Sequence, residues 1–245
     1  MKKYDVVALG ELLIDFTENG KSAQGNPLFE ANPGGAPCNV LAMLTKLGRK
    51  TAFIGKVGED FFGKQLRDAI TEVKIDASGL CTDKEIHTTL AMVHTYPDGD
   101  RDFSFYRNPG ADMMLNKEEI CEELIKETKI FHFGTLSMTH EGVREATKEA
   151  IRIAEESGAL ISFDPNLRPP LWNSLDEAKE QVLYGLAHCQ ILKISDNEIQ
   201  WLTGEEDYTE GVNWIRERYQ IPLILVSMGK EGSRAYYNGI MVEVE

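Results

Sequence analysis

Four short segments hold side chains that could bind and transfer a polar group. Asp15 ends the run Gly10-Glu11-Leu12-Leu13-Ile14-Asp15, just past an apolar strand. A carboxylate there can accept hydrogen bonds from a hydroxylated ligand, although a solvated surface aspartate would look the same. Gly34-Gly35-Ala36-Pro37-Cys38-Asn39 sets two glycines before a helix start. Glycine lets a ligand approach the backbone, and the first helical N–H groups are free to receive it. Asn39, one turn in, can donate and accept. The same residues would also serve a plain loop-to-helix junction. Asp164-Pro165-Asn166-Leu167-Arg168 follows a strand and combines a carboxylate, an amide and a guanidinium, the mixture used for phosphate and metal binding. Lys193-Ile194-Ser195-Asp196-Asn197-Glu198 opens a helix whose first turn carries Glu198. That carboxylate can orient hydrated magnesium or close a capping box with Ser195, and both readings stay open.

Two further segments are weaker. Phe105-Tyr106-Arg107-Asn108-Pro109-Gly110 places aromatics and an arginine at a hairpin end, as a lid over a polar ligand would, or as a charged edge would. Ser227-Met228-Gly229-Lys230-Glu231-Gly232 is a glycine turn able to approach a nucleotide, or only a turn. No G-x-x-x-x-G-K-[ST] loop, G-x-G-x-x-G fingerprint or G-x-S-x-G elbow occurs. The histidines at 87, 94, 132, 140 and 188 lack metal-ligand spacing and read as structural or surface groups.

The elements that must position these groups alternate. Strands are expected at 5–10, 51–54, 130–133, 159–163, 190–194 and 223–227, with helices at 36–47, 60–73, 117–127, 140–157, 176–187, 196–202 and 209–219. Residues 17–33 read as loop with a short strand near Leu28-Phe29-Glu30, and 88–96 and 102–106 as a hairpin turning at Pro97-Asp98-Gly99-Asp100. The chain closes on strands 233–237 and 240–244 joined at Asn238-Gly239. Strands separated by helices imply parallel pairing, with ligand groups at the carboxyl ends of the strands.

The 245 residues include 26 basic and 40 acidic side chains, for a formal charge of −14, which disfavours nucleic-acid or membrane-surface partners. Hydrophobic residues at 42% and charged residues at 27% are globular proportions. No apolar run is long enough to span a bilayer. Cys38, Cys81, Cys121 and Cys189 lie far apart and suit reduced thiols in the cytoplasm.

Taken in order, these pieces resemble the ribokinase/PfkB family of carbohydrate kinases, and its fructokinase branch in particular. The resemblance runs from Gly10 to Gly239 on Gly34-Gly35-Ala36-Pro37-x-Asn39-Val40, Leu47-Gly48, Gly58-Glu59-Asp60-x-x-Gly63, Phe105-Tyr106-Arg107 with Ala111-Asp112, Asp164-Pro165-Asn166-Leu167-Arg168, and Lys193-x-Ser195-x-x-Glu198 with Leu202-Thr203-Gly204. It implies an α/β three-layer sandwich with a mostly parallel sheet, one domain over 1–245, and lid segments near 14–33 and 88–109. It also implies transfer of the ATP γ-phosphoryl group, with Mg²⁺, to a hexose, most simply D-fructose to fructose 6-phosphate. A 2-keto-3-deoxygluconate kinase, another PfkB sugar kinase and a non-catalytic sugar-binding remnant are the other readings. By resemblance, Asp15, Gly34, Gly35, Asn39, Phe105 and Arg107 bind sugar, with Arg107 reaching in from the lid. Asn166 and Arg168 act at the transferred phosphate. Lys193, Ser227, Gly229 and Gly232 face nucleotide, Glu198 organises magnesium through water, and Asp164 is a second metal candidate. Ser195 stands where many members have Asn. A homodimer through the lid is a further implication. The family's Gly-Ala-Gly-Asp run, with its general base, is expected shortly after Gly239 and does not occur in these residues. The expectation is therefore a fold without its C-terminal part and little turnover, since a general base supplies about 10²–10⁴ in rate.

Overall fold

Along Tyr4–Leu9 (β1) the side chains alternate between two buried environments, and this alternation sets the architecture. Val6 and Ala8 join a cluster with Leu41, Phe53, Leu66 and Ile70, whereas Val7 and Leu9 join a larger one with Phe131, Phe133, Ile151 and Phe163. A strand buried on both faces needs helices on both. The computed structural model, which describes residues 2–95 and 101–244, supplies them.

After β1 come Leu13–Lys21 (β2), Pro27–Gly34 (β3), Ala36–Lys46 (α1), Thr51–Gly58 (β4), Phe61–Glu72 (α2) and Asp76–Asp83 (β5). Leu90–Thr95 (β6) and Arg101–Tyr106 (β7) follow. The chain then returns through Glu122–Lys126 (α3), Thr128–Gly134 (β8), Glu141–Glu156 (α4), Leu160–Asp164 (β9), Leu175–His188 (α5) and Ile191–Ser195 (β10). Asp196–Thr203 (α6), Tyr208–Tyr219 (α7), Leu223–Ser227 (β11), Ser233–Tyr237 (β12) and Ile240–Val244 (β13) complete it. Among the described residues the large sheet has nine strands in the order β13-β12-β11-β10-β9-β8-β1-β4-β5. From β5 to β11 the pairing is parallel, and β12 runs antiparallel to both neighbours. This is a ribokinase-like α/β fold with a mostly parallel sheet, as the motif order implies.

A separate four-stranded sheet, ordered β3-β2-β6-β7, stands at the carboxyl end of β1. Its rows Asp15–Ala91–Phe105 and Thr17–Val93–Phe103 run across three strands. This sheet is the lid. Residues 17–33 are thus largely β2 and β3, not a loop with one short strand. Ile14 and Phe16 alternate with Asp15 and Thr17 only at the start of β2, and the polar or small residues 18–27 that follow hide how far the two strands extend. β5 is likewise strand where none is expected, and 117–127 is a turn of 3-10 helix followed by the short α3. The turn Pro97-Asp98-Gly99-Asp100 lies outside the described residues.

Two caps hold elements that bear on the site. Asp60 caps α2 by accepting the Gly63 N–H at 2.7 Å, and it also accepts the Thr88 N–H at 2.8 Å and the Thr88 hydroxyl at 2.8 Å. The start of a helix and the root of β6 are thereby tied to one carboxylate. Ser195 caps α6 in a reciprocal box with Glu198.

Candidate functional site

The carboxyl ends of β1, β9 and β10 meet beneath the lid, and two adjoining cavities open there. The first, about 330 Å³, is bordered by Asp15, Thr17, Asn32 and Phe103, Phe105 from the lid, by Gly35, Ala36 and Asn39 at the start of α1, and by Glu11, Asn166 and Arg168. The second, about 420 Å³, is bordered by Asn166, Leu167 and Arg168, by Lys193 on β10, and by Ser195, Asn197 and Glu198 at the start of α6. Asn166 and Arg168 border both. Two ligands could therefore lie end to end across one loop.

Local backbone demands explain the motif residues. Gly35 has φ of +120°, and a Cβ there would stand 2.4 Å from the Glu11 carbonyl oxygen, so only glycine suits the junction. A Cβ on Gly34 would stand 2.1 Å from Asp15 Oδ2. Gly34 therefore supports the site through Asp15 and is not itself on the described cavity wall. Asn166 sits at φ +43°, a conformation asparagine tolerates better than most residues. Asp164 Oδ1 accepts its N–H at 3.2 Å, and Thr135 Oγ1 donates to the Pro165 carbonyl at 2.5 Å, pinning the loop to the end of β8. Arg168 extends to the lid, its guanidinium carbon 5.5 Å from the centre of the Phe103 ring.

On the second side, Glu198 joins two elements. Its Oε1 accepts the Leu167 N–H at 2.7 Å, and its Oε2 accepts the Ser195 N–H and hydroxyl, each at 2.8 Å. The capping box expected from Ser195 and Glu198 is therefore present, and the same carboxylate also ties α6 to the 164–168 loop. Asp164 lies 3.3 Å from Lys193 Nζ. Burial, with Glu198 nearby, still lifts its carboxyl to about 6 against the opposing pull of Lys193. Among the described residues no group of three or more His, Cys, Asp or Glu side chains forms a metal cluster. The hard oxygens of Asp164 and Glu198 fit magnesium held through water. Both Glu198 oxygens already accept protein donors, which fits direct ligation poorly.

Several expected residues stand elsewhere. Arg107 does not reach in from the lid. β7 ends at Tyr106, and the Arg107 side chain turns into the body, where it is buried. Its Nε donates to Asp112 Oδ2 at 2.8 Å, Nη1 to Thr139 Oγ1 at 2.9 Å and Nη2 to the Leu136 carbonyl at 3.0 Å. A buried guanidinium needs these partners, and they draw it away from the cavity. It holds the wall at Leu136 rather than a ligand. Ser227 ends β11 opposite Ser195, and Gly229 and Gly232 sit in the following turn at φ +55° and +92°. These three lie one strand beyond the residues that border the second cavity, leaving Lys193 as the expected nucleotide residue on its wall. His132 is buried against Ser162 Oγ at 3.0 Å, and burial lowers it to about 4, in keeping with a structural role.

Sequence reasoning missed Glu11, Thr17, Asn32 and Phe103. Glu11 is 3% exposed, and its Oε1 accepts the Ala36 N–H at 2.8 Å. Its signal was a lone charge inside the apolar run from Leu9 to Ile14. The alternation with Asp15 and Phe105 could have flagged Thr17 and Phe103.

Comparison with known proteins agrees with this geometry. The model of the pfkB family carbohydrate kinases matches residues 3–245. The chain is 41% identical over 242 residues to probable fructokinase-2 of Arabidopsis thaliana, covering 98% of this chain and 74% of that protein. The crystal structure of fructokinase with bound ATP from Xylella fastidiosa superposes with a TM-score of 0.88 at 31% identity, over 100% of this chain and 78% of that one. A fructokinase double mutant from Vibrio cholerae O395, in fructose-, ADP- and potassium-bound form, gives 0.88 at 28% identity, over 100% and 76%. Motif order, fold, paired cavities and these matches lead to one conclusion: the chain belongs to the pfkB family of carbohydrate kinases.

Proposed function

We propose that this chain is a fructokinase, binding D-fructose in the cavity under the lid and ATP in the cavity beside it, for transfer of the γ-phosphoryl group to a sugar hydroxyl. The observation that carries the reading is the pair of cavities meeting at Asn166 and Arg168. Asp15 and Asn39 supply acceptors and donors for hydroxyls, and Arg168 is the cation at the junction where phosphoryl charge would develop. Phe103 and Phe105 give the sugar an apolar cover that excludes water. When bound, Mg²⁺ would neutralise phosphate charge, and Asp164 and Glu198 would hold it through water. Lys193 would face the phosphates.

A neutral hexose suits this site better than an acid sugar. The lid-root cation Arg107 is committed to Asp112, with side-chain exposures of 2% and 3%, and the cation that does border the sugar cavity, Arg168, is taken by the transferred phosphoryl group. Four cysteines without disulfides suit a reducing cytoplasm. Leu28 and Phe29, exposed on β3, support a homodimer through the lid, which light scattering at micromolar concentration would test.

Calorimetry tests the main reading. D-fructose is expected to bind below millimolar Kd, and Mg-ATP to bind independently prepared protein in the same range. Binding of 2-keto-3-deoxygluconate in preference to fructose would overturn the sugar assignment. Sugar binding with no nucleotide binding would favour a remnant that holds sugar only.

A further inference from the structure

Glu11 borders the sugar cavity, yet nothing in the reading above uses its carboxyl. The residue lies on the turn from β1 into the lid, with one oxygen fixed on the first amide of α1. Across the cavity stand Asp15, Asn39 and Arg168. Asp112 and Arg107, from the segment after the lid, act on Glu11 with opposite signs, and Cys38 of α1 is a buried thiol that burial keeps neutral. Two carboxyl groups thus share one small cavity, and Glu11 is the deeper, Asp15 being only half-buried. Glu11 is 3% exposed, so desolvation penalises its charged form, and the Asp112 carboxylate adds to that penalty.

We propose that Glu11 is a specificity-determining residue of the sugar site that works as a neutral acid: its carbonyl oxygen stays on the Ala36 N–H, and its O–H donates to a sugar oxygen, while Asp15 accepts from a sugar hydroxyl. A polyol offers donors and acceptors together, and two ionised carboxylates would meet only its donors. This rests on the sugar site proposed above.

Burial already lifts Glu11 to about 7 before any ligand enters. Sugar filling the cavity displaces water and favours the neutral form further. Binding then takes up a proton above neutral pH, and affinity falls as pH rises. If only the acid form binds, fructose affinity weakens by about 30-fold from pH 6 to pH 8.5 for a midpoint of about 7.

The test is fructose calorimetry between pH 6 and 8.5 on the wild-type chain and on Glu11→Gln. The glutamine amide keeps a carbonyl for Ala36 and an N–H donor for the sugar, so it mimics the acid at every pH. The expected result is a pH-dependent wild type and a flat Glu11→Gln that binds fructose more tightly than wild type at pH 8.5. A flat wild type, or a variant with the wild-type slope, overturns the proposal. The second result would assign the slope to another group, such as Asp164. Absence of fructose binding at every pH overturns the sugar site itself and this inference with it. Should Glu11→Gln not fold, the ¹³C shift of the wild-type Glu11 carboxyl decides: its titration midpoint rises on adding fructose if the proposal holds, and an unmoved midpoint refutes it.

Discussion

Replacing Gly34 by alanine separates a binding defect from a folding defect. The added Cβ would stand 2.1 Å from Asp15 Oδ2, 2.8 Å from its Cγ and 3.3 Å from Leu13 Cδ1. Carbon and oxygen need more than 3 Å, so the carboxylate must swing away by over about 1 Å. Asp15 is half-buried beside the cavity, and its terminal atoms have room to move. Gly34 lies outside the left-handed region, so alanine fits its backbone, and stability should change by no more than about 1 kcal/mol. Losing one or two hydrogen bonds from a charged acceptor removes about 1.5–3 kcal/mol of sugar affinity, roughly 10- to 150-fold in Kd. Calorimetry with fructose and Mg-ATP, beside a urea melt, reads all three quantities. Fructose affinity within twofold of wild type would refute the role of Asp15, and an equal loss of Mg-ATP affinity would show general damage. Gly35→Ala is the contrast: positive φ and a backbone clash should destabilise the fold by about 1–3 kcal/mol or more.

Arg107→Met should cost about 3–5 kcal/mol in a urea melt, because Asp112 is left charged and buried, and the double change with Asp112→Leu should recover much of it; equal destabilisation by both would refute the pairing. Ser195→Ala should cost about 1 kcal/mol through the lost cap of α6 and weaken Mg-ATP binding by releasing Glu198, with unchanged nucleotide affinity counting against Glu198. Asp164 holds its proton in the folded chain to about pH 6, whereas an unfolded aspartate loses it near 4. The stability this adds is present below pH 4, declines as pH rises to 6 and is gone above, a loss of at most about 3 kcal/mol. Urea melts at pH 4.5 and 7.5 should therefore show a smaller difference in Asp164→Asn than in wild type.

What could be read from sequence follows the physics of each element. The strand ends at 34–39, 164–168 and 193–198 were legible because glycine, proline, asparagine and a capping serine there are set by backbone geometry that acts locally. β2 and β3 were not, since the alternation of Ile14 and Phe16 with Asp15 and Thr17 is too short to stand out beside the polar or small residues 18–27. Arg107 was misplaced because the family resemblance alone set it reaching in from the lid, whereas its actual direction is set by Asp112, Thr139 and Leu136, the last two about thirty residues on. Such long-range pairing leaves no local trace. Glu11 was hidden by its surroundings, a charge in an apolar run whose partner amide lies 25 residues later.

Asn166 and Arg168 stand on the walls of both cavities. If hexose and nucleotide bind as proposed, whichever arrives first would fix rotamers that the second meets and so spare it part of the ordering entropy. Cooperativity of this kind is reciprocal: the factor by which hexose tightens nucleotide must equal the factor by which nucleotide tightens hexose. A single five-residue turn would then be enough to make the two substrates read each other's presence.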